Sequence, residues 1–157
     1  MQKTNALRIL DKLGIEYETY YHELEEAVDG VTFAELFNLE KDRTYKTLVT
    51  RSKSNNYYVF VVPVEKTLDL KKAANIVDEK NVEMIHSKEL LPIVGYVHGG
   101  CSPIGMKKKF VTVIQKDFDN HKKIVFSGGK IGLLVEIASS DLTKVIDIKV
   151  GDIIRDE

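Results

Sequence analysis

A lysine stands inside a strand-like segment, Tyr45-Lys46-Thr47-Leu48. The neighbouring residues are mostly apolar or β-branched, and strand alternation places Lys46 on the same face as Leu48 and Thr50. A lysine in such a run is either an edge-strand charge that opposes aggregation or a pocket cation that holds a carbonyl or phosphate oxygen. The residue types leave both interpretations open.

A glycine-rich loop is the second candidate for chemistry. Residues 95–105 read GYVHGGCSPIG and contain four glycines. Glycine lets backbone N–H groups approach a ligand closely, and successive N–H groups of such a loop can form an anion-binding concavity. A surface turn is the alternative, but the length and glycine density of this segment exceed what a turn needs.

Three weaker patterns accompany these two. The segment SGGKIG at 127–132 is superficially similar to a phosphate loop, but it lacks the GxxxxGK[ST] spacing and a following helix. His98 and Cys101 have the spacing of a nucleophile–base pair or of half a metal site; zinc needs at least three protein ligands, so we expect no metal and no cofactor. The lysines at 107–109, 122, 123 and 130 form either a modest phosphate-facing patch or an ordinary solvated face.

The composition limits the compartment and the partners. The chain has 157 residues, with 24 acids against 23 bases and a formal net charge of −1, which excludes a bulk polycation for non-specific nucleic-acid binding. The single cysteine, Cys101, excludes an internal disulfide framework and fits a reducing compartment. No apolar run has the length of a signal peptide core or of a membrane helix. We therefore expect a cytoplasmic protein with neither a membrane nor DNA as its partner.

The hydrophobic periodicity indicates which elements position these candidates. Helical spacing predicts helices over residues 4–13, 32–37, 69–77, 87–91 and 141–146. Thr32 and Glu35 have the spacing of a capping box, and Pro92 is expected to stop the fourth helix. Alternation and β-branched composition predict strands over residues 15–22, 45–51, 57–62, 110–115, 122–126 and 131–137. Because strict βαβ alternation is absent, we predict an α+β fold with a mixed, curled sheet and peripheral helices.

Four segments together resemble the YbaK/EbsC family, most closely its YbaK-type Cys-tRNA(Pro) deacylases, in order and spacing: residues 45–48, 68–72, 95–105 and 127–133. The resemblance runs over essentially the whole chain. It implies a single editing domain over residues 1–157, with a mixed barrel-like β-sheet and peripheral helices, as in the domains associated with prolyl-tRNA synthetase. It also implies hydrolysis of tRNA(Pro) mischarged with cysteine and, less selectively, of Cys-tRNA(Cys).

The same resemblance implies roles for individual residues. The catalytic group would orient the 3′-terminal adenosine or the ester and would bind the ester carbonyl through loop N–H groups: Lys46, Gly99, Gly100, Cys101 and Ser102. The substrate-binding group would line the pocket: Tyr20, His22, Pro103, Ser127, Gly128 and Gly129. Two positions depart from the family pattern, because Cys101 replaces an aliphatic residue and Leu134 stands where some members carry an Asp. Glu136, two residues along the strand, would share the face of Leu134.

The resemblance further implies that no protein side chain is the nucleophile. The substrate's own thiol would attack the ester carbonyl and expel the tRNA, leaving a cyclic thiolactone that water later opens. Because a net charge of −1 gives little attraction for RNA, the expected partner is prolyl-tRNA synthetase, which would hold the tRNA. Two alternatives remain: a non-catalytic EbsC-type regulatory module, and a deacylase for another small aminoacyl-tRNA.

Overall fold

The computed structural model describes residues 2–156, over which the chain forms five α-helices and eight strands. The helices are α1 (Asn5–Lys12), α2 (Gly30–Leu36), α3 (Leu70–Ile76), α4 (Ser87–Val94) and α5 (Leu142–Val145). The strands are β1 (Tyr17–Tyr21), β2 (Tyr45–Ser52), β3 (Tyr57–Pro63), β4 (Val82–Met84), β5 (Val111–Gln115), β6 (Lys123–Lys130), β7 (Leu133–Ala138) and β8 (Lys149–Gly151).

The strands form two sheets that meet along one seam. The smaller sheet has the order β1-β7-β6 and is antiparallel; the larger has the order β4-β2-β3-β5-β8, in which β5 runs parallel to both neighbours. A single parallel bridge between Thr44 and Val125 joins β6 to the start of β2. The α+β class, the mixed sheet and the peripheral helices are therefore confirmed, with the sheet open rather than a closed barrel.

Strand β3 lies between two parts of the core. Val59 and Val61 belong to one cluster of buried side chains, whereas Phe60 and Val62 belong to another. The strand is thus covered on both faces, as its continuous apolar sequence predicts. Full burial of side chains of this size stabilises the fold by roughly 1.5–3 kcal/mol each, so β3 fixes its neighbour β2, and the lysine on it, firmly in place.

Side chains cap the starts of α1, α2 and α3, and one of these caps differs from the sequence-based expectation. Thr4 accepts a hydrogen bond from the Leu7 N–H, and Asp69 caps α3 in the same way. The predicted capping box at Thr32 is wrong: α2 begins earlier, and Asp29 accepts both the N–H and the hydroxyl of Thr32, each at 2.9 Å. Its carboxylate is a charged acceptor in β-region backbone directly before the helix, and it therefore becomes the cap.

The predicted stop at Pro92 is also wrong, because α4 continues to Val94 and ends at Gly95 in a left-handed conformation with φ of 91°. Pro92 removes one helical N–H but lies on the exposed side, where water can satisfy the freed carbonyl.

Residues 127–130, expected as a loop, instead extend β6 with an irregular register between Ser127 and Lys130. No helix within residues 2–156 has the length and apolar character needed to cross a membrane.

Candidate functional site

A cavity of about 520 Å³ opens between α2, the start of α4, β2 and the glycine-rich loop. Much of its wall is apolar, with side chains from all parts of the lining: Val28, Val31, Phe33, Val64, Leu90 and Leu134. This volume lies within the roughly 300–1,000 Å³ typical of sites that enclose a small ligand. The elements predicted to carry chemistry therefore converge on one concave, mostly apolar site.

Lys46 supplies a cation to this cavity. Its side chain is half-buried, and burial lowers the pKa of its ammonium. Within residues 2–156, no carboxylate forms an ion pair with the Lys46 ammonium and no group forms a hydrogen bond with that ammonium. A partly desolvated cation without a protein partner favours the pocket interpretation over the edge-strand one, because a bound anion or carbonyl oxygen would stabilise it.

The glycine loop packs closely against two other segments because Gly99 and Gly100 have no side chains. Gly99 has φ of 84°, and a Cβ at this position would collide with Ala27. At Gly100 a Cβ would lie 2.8 Å from the backbone nitrogen of Ile131 and the same distance from the carbonyl carbon of Lys130. The loop backbone can therefore reach the cavity only because both positions are glycine.

The loop offers fewer free N–H groups than the resemblance implies. The Gly100 N–H donates to the carbonyl of Val97 at 3.0 Å. It is therefore not free to bind an ester carbonyl, which is the role that the resemblance implies for it. Gly99 and Cys101 line the cavity, and their N–H groups have no hydrogen-bond acceptor in the part of the chain that the structure describes. These two are the candidate donors to a developing oxyanion.

Ser102 and Pro103 hold the loop from within and do not line the cavity. The Ser102 hydroxyl is fully buried and accepts a hydrogen bond from the Ile104 N–H at 3.2 Å. Pro103 is buried beside it, and the Tyr96 hydroxyl donates to the Ile104 carbonyl at 2.6 Å. Both residues predicted at the site therefore stabilise the loop conformation behind its cavity-facing backbone.

Cys101 reaches the cavity as a neutral thiol. Its side chain is buried, and burial raises its pKa to about 12. His98 also lines the cavity, but no hydrogen bond joins it to Cys101 over residues 2–156. No group of three or more possible metal ligands occurs in the same range. A thiol without a base and with a raised pKa is poorly suited to nucleophilic attack.

Ser127 is the member of the predicted second wall that lines the cavity. Its hydroxyl accepts the Gly129 N–H at 3.1 Å, while the Gly128 carbonyl accepts the Thr4 hydroxyl at 2.5 Å. Gly128 and Gly129 therefore lie behind Ser127, where they connect the irregular end of β6 to α1.

Tyr20 and His22 lie outside the cavity. The Tyr20 hydroxyl donates to Glu136 Oε1 at 3.2 Å, and burial, followed by the Glu136 charge, raises the pKa of Tyr20. His22 is exposed at the end of β1, where its N–H donates to the Gly132 carbonyl. The pocket-lining role that the resemblance implies for Tyr20 therefore does not match this placement, because Glu136 holds its hydroxyl.

Glu136 takes part in an ion pair that joins the two sheets. Arg43 Nη1, just before β2, lies 2.5 Å from Glu136 Oε2 on β7, and the glutamate side chain is only 6% exposed. Leu134, on the same face of β7, lines the cavity, whereas Glu136 does not. The ion pair fixes β7 against the start of β2, so it helps to set the distance between two cavity walls.

His86 and Ser87 also line the cavity, at the start of α4, and the sequence patterns did not point to them. A histidine directly before a helix carries no local signal of function. The pairing of β4 with β2, which the Ile85 N–H extends to the Val49 carbonyl, brings His86 to the same cavity as Lys46. Of the predicted residues, the cavity wall thus brings together Lys46, Gly99, Cys101 and Ser127.

Comparison with known proteins identifies the family to which this fold and cavity belong. The family described as "Aminoacyl-tRNA editing domain" matches residues 25–145, and the chain belongs to this family. A protein of Enterococcus faecalis (strain ATCC 700802 / V583) is 37% identical over 157 residues, covering 99% of this chain and 96% of its own. That relative bears the provisional name Cys-tRNA(Pro)/Cys-tRNA(Cys) deacylase EbsC.

Solved structures show the same fold at low sequence identity. A proposed trans-editing enzyme for prolyl tRNA synthetase is 19% identical with a TM-score of 0.84, over 99% of this chain and 100% of its own. A hypothetical protein is 20% identical with a TM-score of 0.85, over 97% and 100% of the two chains. These likenesses extend over nearly the full length of both partners.

Proposed function

We propose that the protein is a trans-editing deacylase that removes cysteine from mischarged Cys-tRNA(Pro), with residues 1–157 acting as one editing domain. The observation that carries this proposal is the unpaired, half-buried Lys46 in a cavity of about 520 Å³ beside free loop N–H groups. Family membership supplies the class of reaction, removal of an amino acid from tRNA. The name of the E. faecalis relative supports cysteine as the amino acid.

Each group of the site has a task in this reaction. The ammonium of Lys46 holds an oxygen of the ester or of the 3′-terminal nucleotide. The N–H groups of Gly99 and Cys101 donate to the ester oxygen as negative charge develops on it. Ser127 and the apolar wall position the aminoacyl end, and positioning alone can be worth roughly 7–11 kcal/mol of the barrier.

The substrate supplies the nucleophile in this proposal. Its thiol sulfur bonds to the ester carbonyl carbon, the bond from that carbon to the ribose oxygen breaks, and the thiol proton ends on the ribose hydroxyl. The tRNA leaves, and water opens the resulting thiolactone. The neutral Cys101, which has no base partner over residues 2–156, supports a nucleophile on the substrate rather than on the protein.

We infer that prolyl-tRNA synthetase assists by holding the tRNA body. A net charge of −1 gives the chain little electrostatic attraction for a polyanion, so a partner that binds tRNA would supply the missing affinity. The likeness to the proposed trans-editing enzyme for prolyl tRNA synthetase is one of fold and agrees with this partner.

A panel of aminoacylated tRNAs tests the proposal. The purified protein is incubated with Cys-tRNA(Pro), Cys-tRNA(Cys), Ala-tRNA(Pro) and Pro-tRNA(Pro), with and without prolyl-tRNA synthetase. We expect rapid loss of cysteine from tRNA(Pro), slower loss from tRNA(Cys), and intact Pro-tRNA(Pro). Rapid cleavage of a different aminoacyl ester would replace the substrate assignment, and no cleavage of any member would favour an EbsC-type regulatory module.

A further inference from the structure

One edge of β2 lacks a strand partner where it borders the cavity. On one side β2 pairs with β3 from Tyr45 to Arg51. On the other side β4 pairs with β2 from Thr50 to Ser52, and the Ile85 N–H extends this contact to the Val49 carbonyl at 3.2 Å. The Thr44–Val125 bridge covers the opposite end of the same edge. The stretch around Thr47 therefore remains open.

The hydrogen bonds of β2 show which backbone groups face this open edge. The Thr44 carbonyl accepts a hydrogen bond from the Val64 N–H, and the Ser52 N–H donates to the Asn56 carbonyl. The backbone N–H and carbonyl groups of the even-numbered residues of β2 therefore point to β3. Backbone groups of successive strand residues alternate between the two edges. Thr47 therefore directs its N–H and carbonyl away from β3, to the same edge as the Val49 carbonyl, and Thr47 lines the cavity.

The side chain of Thr47 gives an independent indication of a missing polar ligand. Its hydroxyl oxygen is buried and has no hydrogen-bond partner within residues 2–156. Buried polar atoms without a partner are rare in folded proteins. Thr47 thus has an unpaired backbone donor, backbone acceptor and hydroxyl, and it lines a cavity that apolar side chains of α2 and α4 also line.

We propose that the open edge of β2 at Thr47 binds the base edge of the substrate's 3′-terminal adenine. The adenine 6-amino group donates to the Thr47 carbonyl, and the adjacent ring nitrogen accepts the Thr47 N–H. The apolar side chains of Val31, Phe33 and Leu90 line the same cavity as Thr47 and suit the faces of a flat ring. A cavity of about 520 Å³ also has room for a nucleoside beside the small cysteinyl group.

This assignment rests on the proposed function, since it concerns the same substrate, and it gives β2 two separate roles. The side chain of Lys46 leaves the strand from the face opposite to that of Thr47. The ammonium therefore remains available for an ester or phosphate oxygen while the backbone of the next residue binds the base.

Nucleotide binding to the isolated full-length protein tests the proposal. Adenosine 5′-monophosphate is compared with purine riboside 5′-monophosphate, which lacks the 6-amino group, by NMR titration of ¹⁵N-labelled protein. We expect about tenfold weaker binding of purine riboside 5′-monophosphate, which corresponds to about 1.4 kcal/mol. Equal affinities, or no binding of adenosine 5′-monophosphate at millimolar concentration, would overturn the proposal.

Two variants separate the backbone from the side chain. Thr47→Pro removes the N–H without breaking a bond to β3, because that N–H faces the open edge. It should bind adenosine 5′-monophosphate about tenfold more weakly than the wild type, whereas Thr47→Val should keep the preference for the 6-amino group. Unchanged affinity in folded Thr47→Pro would contradict the proposal, and the wild-type comparison decides the matter if that variant does not fold.

The nucleotide-binding test and the deacylation test can fail independently of each other. A protein that prefers adenosine 5′-monophosphate but leaves every aminoacyl-tRNA intact would keep the base site and refute the deacylase. A protein that deacylates Cys-tRNA(Pro) but does not distinguish the two nucleotides would keep the deacylase and refute the base site.

Discussion

Replacing Lys46 with methionine removes the cavity's cation and retains an apolar stem of similar length. Lys46 has no carboxylate partner within residues 2–156, so the substitution orphans no other charge. A unit charge about 4 Å from an oxyanion contributes roughly 4 kcal/mol at an effective dielectric constant near 20. Part of this interaction is already present in the ground state. We therefore expect kcat to fall about 10²–10³-fold, the range seen when one oxyanion donor is lost.

The stability of the Lys46→Met protein should not fall with its activity. Burial lowers the pKa of Lys46, so folding disfavours its charged form, and removing the charge relieves that cost. Since the unfolded chain binds the proton more tightly, wild-type stability rises as the pH passes from the lowered folded pKa to the unfolded value. Any advantage of Lys46→Met in melting temperature should thus be largest at neutral pH and shrink above the folded pKa.

Single-turnover deacylation of Cys-tRNA(Pro) and a thermal melt measure the two effects. Lys53→Met is the matched control, because Lys53 is an exposed lysine in the turn between β2 and β3. It should retain wild-type turnover. Wild-type turnover by folded Lys46→Met, or an equal loss in both variants, would refute the assignment of Lys46 to the site.

Three further substitutions test the loop and the seam between the sheets. Cys101→Ala should keep deacylation within a few-fold of wild type, since its buried thiol is neutral with a pKa of about 12; complete loss in a normally melting protein would indicate a cysteine nucleophile. Gly100→Ala should lower the free energy of unfolding by about 1–3 kcal/mol and impair activity, because its Cβ meets backbone atoms. Gly14→Ala is the control for activity: a φ of 69° strains its backbone, but its Cβ meets no other atom, so activity should stay intact. Glu136→Gln should lower the free energy of unfolding by roughly 1–3 kcal/mol, because Arg43 loses its buried carboxylate partner. Urea denaturation measures this loss, and an unchanged midpoint would show that the ion pair does not stabilise the contact between the two sheets.

Local sequence patterns predicted the helices and strands that have a clear local signal. They missed the features that tertiary contacts determine. The hairpin of β2 and β3 follows from two β-branched runs around a polar turn; both strands begin where expected and end one residue later. Strands β4 and β8 have three residues each, which is too short for an alternating hydrophobic pattern to be recognised in the sequence. Pro92 would stop an isolated helix, but its exposed position lets α4 continue.

The candidate site shows the same division. Lys46 and Gly99 have local signals, a charge in an apolar strand and a dense run of glycines, and both line the cavity. The resemblance implies a pocket role for Tyr20, yet a carboxylate 116 positions away accepts the hydrogen bond of its hydroxyl. His86 reaches the cavity through the pairing of β4 with β2, and spacing along the chain cannot show such contacts.

The ratio of deacylation rates for Cys-tRNA(Pro) and Ser-tRNA(Pro) tests the central claim most directly. Serine is nearly isosteric with cysteine, so a pocket contact that senses one atom would separate them by only about 10–200-fold. If the substrate's thiol attacks its own ester, the ratio should exceed that range. The rate on Cys-tRNA(Pro) should also rise with pH as that thiol, with an ordinary pKa of about 8.5, ionises. Comparable rates on the two substrates, without a thiol-linked pH dependence, would contradict the account and indicate an activated water at Lys46 and the Gly99–Pro103 loop.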